Sequence, residues 1–282
     1  MQLSILDLVP SYFRYVAEEG DETAYDATYP ALFEHLRRHW DGEGFPAHEA
    51  TTLYRRAAAI KEALTTLARR WSQQGVEEAL DVVLLAWKGT SNGHAFLDEA
   101  RGRTVVWLPV EGYPSSLMIR VFVTHEMAHA LHYRRRPEFY FRDEAERCQV
   151  GRQLLTEGVA TLLSACLWGL EPLTALWADF LPREEGERWL RRCQAAEGEM
   201  AAFALHHWES HEADNAFFSL QDEGDVLRYR GGYYLALRLL ERIAEEHQMS
   251  AVALLDVPRE RLEGWARATL SRFLPEKGRE RA

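Results

Sequence analysis

Cysteine is scarce in this chain: Cys148, Cys166 and Cys193 are odd in number and form no C-x-x-C spacing. That excludes a disulfide framework and a cysteine-built metal knot, and leaves three reduced, mostly buried thiols of a cytoplasmic protein, structural rather than catalytic. No stretch of about 18 apolar residues is present to span a bilayer. The opening MQLSILDLVPSYFRY lacks a basic segment followed by an apolar run, so no secretory signal is expected. Positive charge is also in deficit, with 33 Lys and Arg against 44 Asp and Glu and a net charge of -11. Neither nucleic acid nor an anionic membrane is an expected partner, since both select basic surfaces, and the acidic surplus serves solubility. Internal repeats and low-complexity linkers are absent.

What the chain does have is apolar content, 47% over 282 residues, ample for a core. Residues 1 to 75 read as an N-terminal helical subdomain, with helices near Pro30 to Trp40 and His48 to Gln74. In the second, Leu53, Ala57, Ile60, Leu64 and Leu67 recur at helical spacing and Gly75 supplies the stop. From residue 76 to 282 the pattern is that of a catalytic domain with a helical C-terminal lobe. It opens with short apolar strands at Val82 to Trp87 and Thr104 to Val110, and an edge segment near His94 to Leu97. Helices follow at about Val150 to Trp168, up to Ala195, Glu197 to Trp208, Gly231 to Glu246 and Arg259 to Phe273, and the tail LPEKGRERA reads as frayed.

The chemistry concentrates in Val121 to His132, VFVTHEMAHALH, where His125, Glu126 and His129 spell H-E-x-x-H. A helix turns about 100° per residue, so His125 and His129 stand one turn apart on one face and can reach a single ion, with Glu126 beside them. Chance alone would produce such a string about 0.07 times in a chain of this composition. Context adds weight: from Leu117 to Tyr133 the apolar residues spread over most of the helix circumference, which describes a buried helix. Buried imidazoles and carboxylates must be hydrogen-bonded, paired or metal-bound, and metal explains two of them at once.

Catalytic zinc needs three protein ligands and an open position. A third histidine in the metzincin manner would require Gly at 132 and His at 135, where this chain has His132 and Arg135. The next option is a glutamate on a following helix, and LLTEGVATLLS provides Glu157. Beside it Gly158 interrupts a strong helix at a cost of about 1 kcal/mol relative to alanine, which asks for a reason such as close approach of another backbone.

HEMAH followed by Glu157-Gly158-Val159-Ala160 resembles the gluzincin metallopeptidases, several families of which show E-G-x-A. The wider pattern resembles a bacterial family of predicted zinc-dependent proteases of otherwise unknown function. The resemblance covers roughly residues 80 to 245, with the weaker TSNG turn and GGYYLA strings included. It implies an α+β, mostly helical, zincin-like fold with a small mixed sheet packed on the active-site helix. It implies one catalytic Zn2+ on His125, His129 and Glu157, with Glu126 as general base, acting on a peptide or protein substrate. Related enzymes place an oxyanion-stabilising tyrosine in Y-x-x-G; here Tyr233-Tyr234-Leu235-Ala236 has alanine at the glycine position. Tyr233 is the first choice and Tyr234 the second, against an ordinary aromatic core pair. In zincins an extended substrate pairs with an edge strand, which makes Asn92 to Leu97, with Asn92 and Gly93 at its start, the substrate-binding segment.

Other residues have plainer readings beside their functional ones. His132 reads as a contact to a metal ligand or to substrate, or as a hydrogen-bonded helix histidine, and His94 is similarly ambiguous. His207 and His211 have metal-ligand spacing on what reads as an exposed polar helix. Arg134, Arg135 and Arg136 are a solvated turn or an acidic-substrate contact. Two further functions compete with peptide hydrolysis: a non-catalytic zinc-binding module, which would not need Glu126, and a zinc hydrolase of a non-peptide amide.

Overall fold

The structure is a computed structural model that describes residues 1–39, 49–87, 93–210 and 215–274. The fold is α+β and mostly helical, with one small mixed sheet. The chain divides into two compact units, Met1–Arg134 and Arg135–Ala282.

In the first unit a four-stranded sheet has the order β1-β2-β4-β3, built from Gln2–Asp7 (β1), Ala79–Leu85 (β2), His94–Asp98 (β3) and Arg103–Pro109 (β4). β1 and β4 both run parallel to β2, while β3 pairs antiparallel with β4. Residues 1 to 75 are thus not purely helical. The reason β1 escapes a pattern search is its half-wet alternation, in which no residue from Gln2 to Asp7 is fully buried, as suits an edge strand. The central strands are continuous apolar runs: Val82 to Leu85 and Val105 to Leu108 are all buried, as expected of strands covered on both faces. This unit also holds helix α1 (Pro30–His39) and helix α2 (Ala50–Gln73), with Leu53, Ala57, Ile60, Leu64, Leu67 and Trp71 forming the buried stripe of α2. Ser115 caps the helical run that leads to the signature, its hydroxyl accepting from the Met118 N–H at 3.0 Å. That run passes through a π-helical turn at Ile119–Val123 and becomes regular in α3 (Thr124–Arg135).

The second unit is helical. Its central helix α4 (Val150–Trp168) ends on Gly169 in the left-handed conformation, φ +63, a cap that only glycine adopts cheaply. Around it lie α5 (Arg183–Ala195), α6 (Glu197–His206), α7 (Gly231–Glu246) and α8 (Arg259–Phe273). An aromatic cluster anchors the start of α7: Trp189 meets Trp177 edge-on at 5.1 Å, and its indole N–H donates to the Tyr229 carbonyl at 2.8 Å.

The three arginines at the end of α3 are bonded, Arg134 from an exposed position and Arg135 and Arg136 from half-buried ones. Arg134 donates to the Ala79 carbonyl at 2.6 Å, Arg135 pairs with Asp256 at 2.9 Å, and Arg136 donates from Nε to the Asp256 carbonyl at 2.8 Å. All three cysteines are free, and burial pushes the Cys193 thiol up to about 12, out of reach of thiolate chemistry. Among the described residues no helix is long and apolar enough to cross a membrane.

Candidate metal centre

His125, Glu126 and His129 all fall in the regular part of the signature helix. The π-helical turn at Ile119–Val123 shifts the register of what precedes it, but the i, i+4 relation between the two histidines survives. Thr124, at the junction, donates its hydroxyl back to the Arg120 carbonyl at 2.5 Å. The helix is sunk in apolar contacts, with Met127, Ala128, Ala130 and Leu131 all fully buried. Only His125 and Glu126 interrupt the buried run from Val121 to Tyr133, and both keep part of their surface.

The two imidazoles point their Nε2 atoms at each other, 3.0 Å apart, with the rings nearly perpendicular at 82°. Two nitrogens bound to one tetrahedral zinc at about 2.05 Å stand roughly 3.3 Å apart, so this spacing suits a shared ion as well as an N–H···N bond. His129 is itself steadied by stacking on Tyr133 at 5.7 Å, and His132 is fully buried in the helix.

Sequence patterning missed a neighbour of Glu126. Tyr113 is fully buried, and its hydroxyl finds no hydrogen-bond partner among the described residues. Burial first, then the charges of Glu126 and Glu111, hold its phenol well above its ordinary pKa, so it stays protonated. Gly93 backs directly onto it: a Cβ there would lie 2.7 Å from the Tyr113 hydroxyl, and the glycine sits at φ +121. Gly93 is therefore a close-approach glycine at the head of β3. Asn92 lies outside the described residues. His94 stacks at 5.8 Å on His35 and sits beside the Trp107 ring.

Glu157 stands on α4, where every residue from Val150 to Thr156 and from Gly158 to Ser164 is buried and Glu157 alone keeps an opening. The glycine after it has the reason its position demands. A Cβ on Gly158 would lie 2.8 Å from the Ala236 carbonyl oxygen and 2.6 Å from Leu240 Cδ2, so α4 and α7 meet there backbone to backbone.

On α7 the two candidate tyrosines diverge. Tyr234 is buried and its hydroxyl donates to Glu197 at 3.1 Å; burial, then Glu197, raises its pKa. Tyr233 is half-buried, its ring against Phe218 at 5.4 Å and beneath the Arg230 guanidinium at 4.3 Å. Arg230 was not apparent from the sequence. Burial lowers its pKa while Tyr233, Glu157 and Tyr229 hold it up, and an arginine so placed remains charged.

Among the described residues one group of three or more histidine, cysteine or acidic side chains could share an ion. It is His125, His129 and Glu157, with ligand atoms all within 4.8 Å of one another. Two imidazoles and a carboxylate are a donor set that catalytic zinc accepts. His207 is packed on Phe203 at 4.5 Å, and its proposed partner His211 lies outside the described residues. No family model, curated protein or solved structure matches this chain.

Proposed function

We propose that this protein is a zinc-dependent peptide hydrolase of the gluzincin kind, with His125, His129 and Glu157 as metal ligands. The observation that carries the reading is the convergence of those three side chains, two of them from H-E-x-x-H and the third from the E-G-x-A helix. Bound there, zinc would polarise the scissile carbonyl and make water a nucleophile near neutral pH. Glu126, next to the first ligand and partly open, takes the proton of the attacking water and returns it to the leaving amine. Tyr233 is the candidate donor to the developing oxyanion, because Tyr234 already gives its hydroxyl to Glu197. β3 is an edge of its sheet and can accept an extended peptide, with Gly93 keeping its head free of a side chain. Three free thiols agree with a cytoplasmic setting.

The test is metal analysis of the purified chain followed by a peptide-mixture cleavage screen of the unmodified chain and Glu126→Gln. Zinc in both and cleavage by the unmodified chain alone is the expected result. Cleavage undiminished in Glu126→Gln removes the general base from the proposal. Zinc in both with cleavage by neither indicates a structural ion, and a chain without zinc ends the metal reading.

A further inference from the structure

We infer that Arg230 receives a carboxylate of the peptide substrate, whether the C-terminal carboxylate or an acidic side chain; this rests on the peptidase reading above. The guanidinium is partly withdrawn from water and has no counter-ion among the described residues. Among the described residues it makes no ion pair within 4.0 Å and donates one hydrogen bond, from Nη2 to the Leu176 carbonyl at 3.1 Å. Its Nε is shut off from solvent and has no acceptor, although the residue as a whole is only half-buried. Desolvating a charge in this way is costly unless something anionic meets it.

The aromatic faces on either side, Trp177 at 4.7 Å and Tyr233 at 4.3 Å, compensate part of that cost and fix the plane of the fork. They supply no acceptor for its in-plane N–H groups. The backbone is locked as well: Arg230 adopts φ +55, its N–H donates to Ser219 at 2.9 Å, and its carbonyl accepts from Tyr233 at 3.2 Å. A non-glycine residue kept left-handed by bonds on both sides is being held for its side chain.

Position compounds the demand for an anion. Arg230 caps the N-terminus of the 16-residue helix α7, where the helix dipole is already positive. Among the described residues the carboxylate whose charge acts on it is Glu157. Once Glu157 is committed to a divalent ion, the surroundings of Arg230 carry net positive charge. A planar guanidinium matches carboxylate and phosphate groups, and of these a peptide of unmodified residues offers only the carboxylate. On a chain of net charge -11, such a site would also be the place where acidic and neutral peptides are told apart.

The experiment uses the full chain carrying Glu126→Gln, so that peptides bind without turnover, with zinc content measured first. Three probes are titrated calorimetrically: N-acetyl-phenylalanyl-alanine, its C-terminal amide, and N-acetyl-phenylalanyl-aspartic acid amide. At least one acid probe should bind about tenfold or more tightly than the amide that lacks any carboxylate. Which of the two does so tells a C-terminal carboxylate from an acidic side chain. Arg230→Gln should abolish that preference and leave the neutral amide unchanged, and Arg230→Lys, which keeps the charge without the fork, should retain part of it. If Arg230→Gln does not fold, Arg230→Lys alone decides: a severalfold loss confined to the acid probes supports the inference. A preference that survives substitution, or a zinc-loaded chain that binds all three probes equally or none, overturns the inference alone. A chain without zinc overturns the peptidase reading and this inference together.

Discussion

Gly158→Ala should destabilise the protein, although alanine is the better helix former. In isolation the exchange favours the helix by about 1 kcal/mol. At this site the new Cβ would lie 2.6 Å from Leu240 Cδ2, 2.8 Å from the Ala236 oxygen and 3.1 Å from the Ala236 carbonyl carbon. The leucine methyl can rotate away, but the Ala236 carbonyl belongs to the backbone of α7 and moves only with its helix. Restoring ordinary contact needs a local separation of about 0.6 Å, and overpacking of this order costs about 1–3 kcal/mol. A control is available in α8, where Gly264 is exposed and a Cβ would meet nothing within 4 Å. Gly264→Ala should therefore gain the propensity term unopposed, and the difference between the two variants isolates the steric cost. Urea unfolding followed by helical circular dichroism should place Gly158→Ala about 1–3 kcal/mol below Gly264→Ala. Zinc affinity should fall in Gly158→Ala only, since Glu157 moves with the displaced turn. If Gly158→Ala is as stable as Gly264→Ala, the two helices do not touch at Gly158 and the explanation for that glycine is wrong.

Glu111 offers a pH test, because burial pushes its carboxyl up to about 7 from an ordinary value of 4.5, although Trp87 N–H donates to it at 3.0 Å. A carboxyl whose folded pKa is raised lends stability that is complete below pH about 4.5 and lost as pH climbs through 7. Glu111→Gln should therefore flatten the stability profile across that window, gaining on the order of 3 kcal/mol relative to the unmodified chain between pH 4.5 and pH 8 in denaturant titrations. A parallel shift at both pH values would refute the assignment. Glu157→Ala should lower zinc affinity by at least tenfold in a chelator competition while leaving helical content intact; unchanged affinity removes Glu157 from the ligand set. Tyr233→Phe should reduce kcat more than KM, about 100-fold by analogy with loss of an oxyanion donor, and Tyr234→Phe should act chiefly on stability through Glu197. The reverse pattern in peptide-cleavage kinetics would exchange their roles.

Much of this was legible in the sequence, for identifiable reasons. The long helices follow from apolar spacing and stop signals, so Val150–Trp168, Gly231–Glu246 and Arg259–Phe273 fall where patterning puts them. Gly158 announced a close approach because nothing else justifies glycine in a strong helix, and the Ala236 carbonyl is what approaches. β1 was illegible since an edge strand with half-wet alternation carries no distinctive period. Arg230 looked like an ordinary charged residue before two glycines. Its stacking between Trp177 and Tyr233 depends on Trp177, which is remote in sequence, a tertiary fact with no local signature. Tyr113 was hidden similarly, as one aromatic among 11 tyrosines until Gly93 and Glu126 came beside it.

The parallel pairing of β1 with β2 also has a kinetic side. Gln2 meets Ala79, so this ladder closes only after the intervening helices have been gathered in, at a loop-closure cost on the order of 4 kcal/mol. Until then the Leu80–Leu84 backbone of an apolar strand is an open edge, and it is the edge most able to recruit another chain. A chain clipped after Asp7 would keep every proposed ligand yet stay in that sticky state. Its characteristic failure would be aggregation during refolding, rising with protein concentration, before any loss of metal binding.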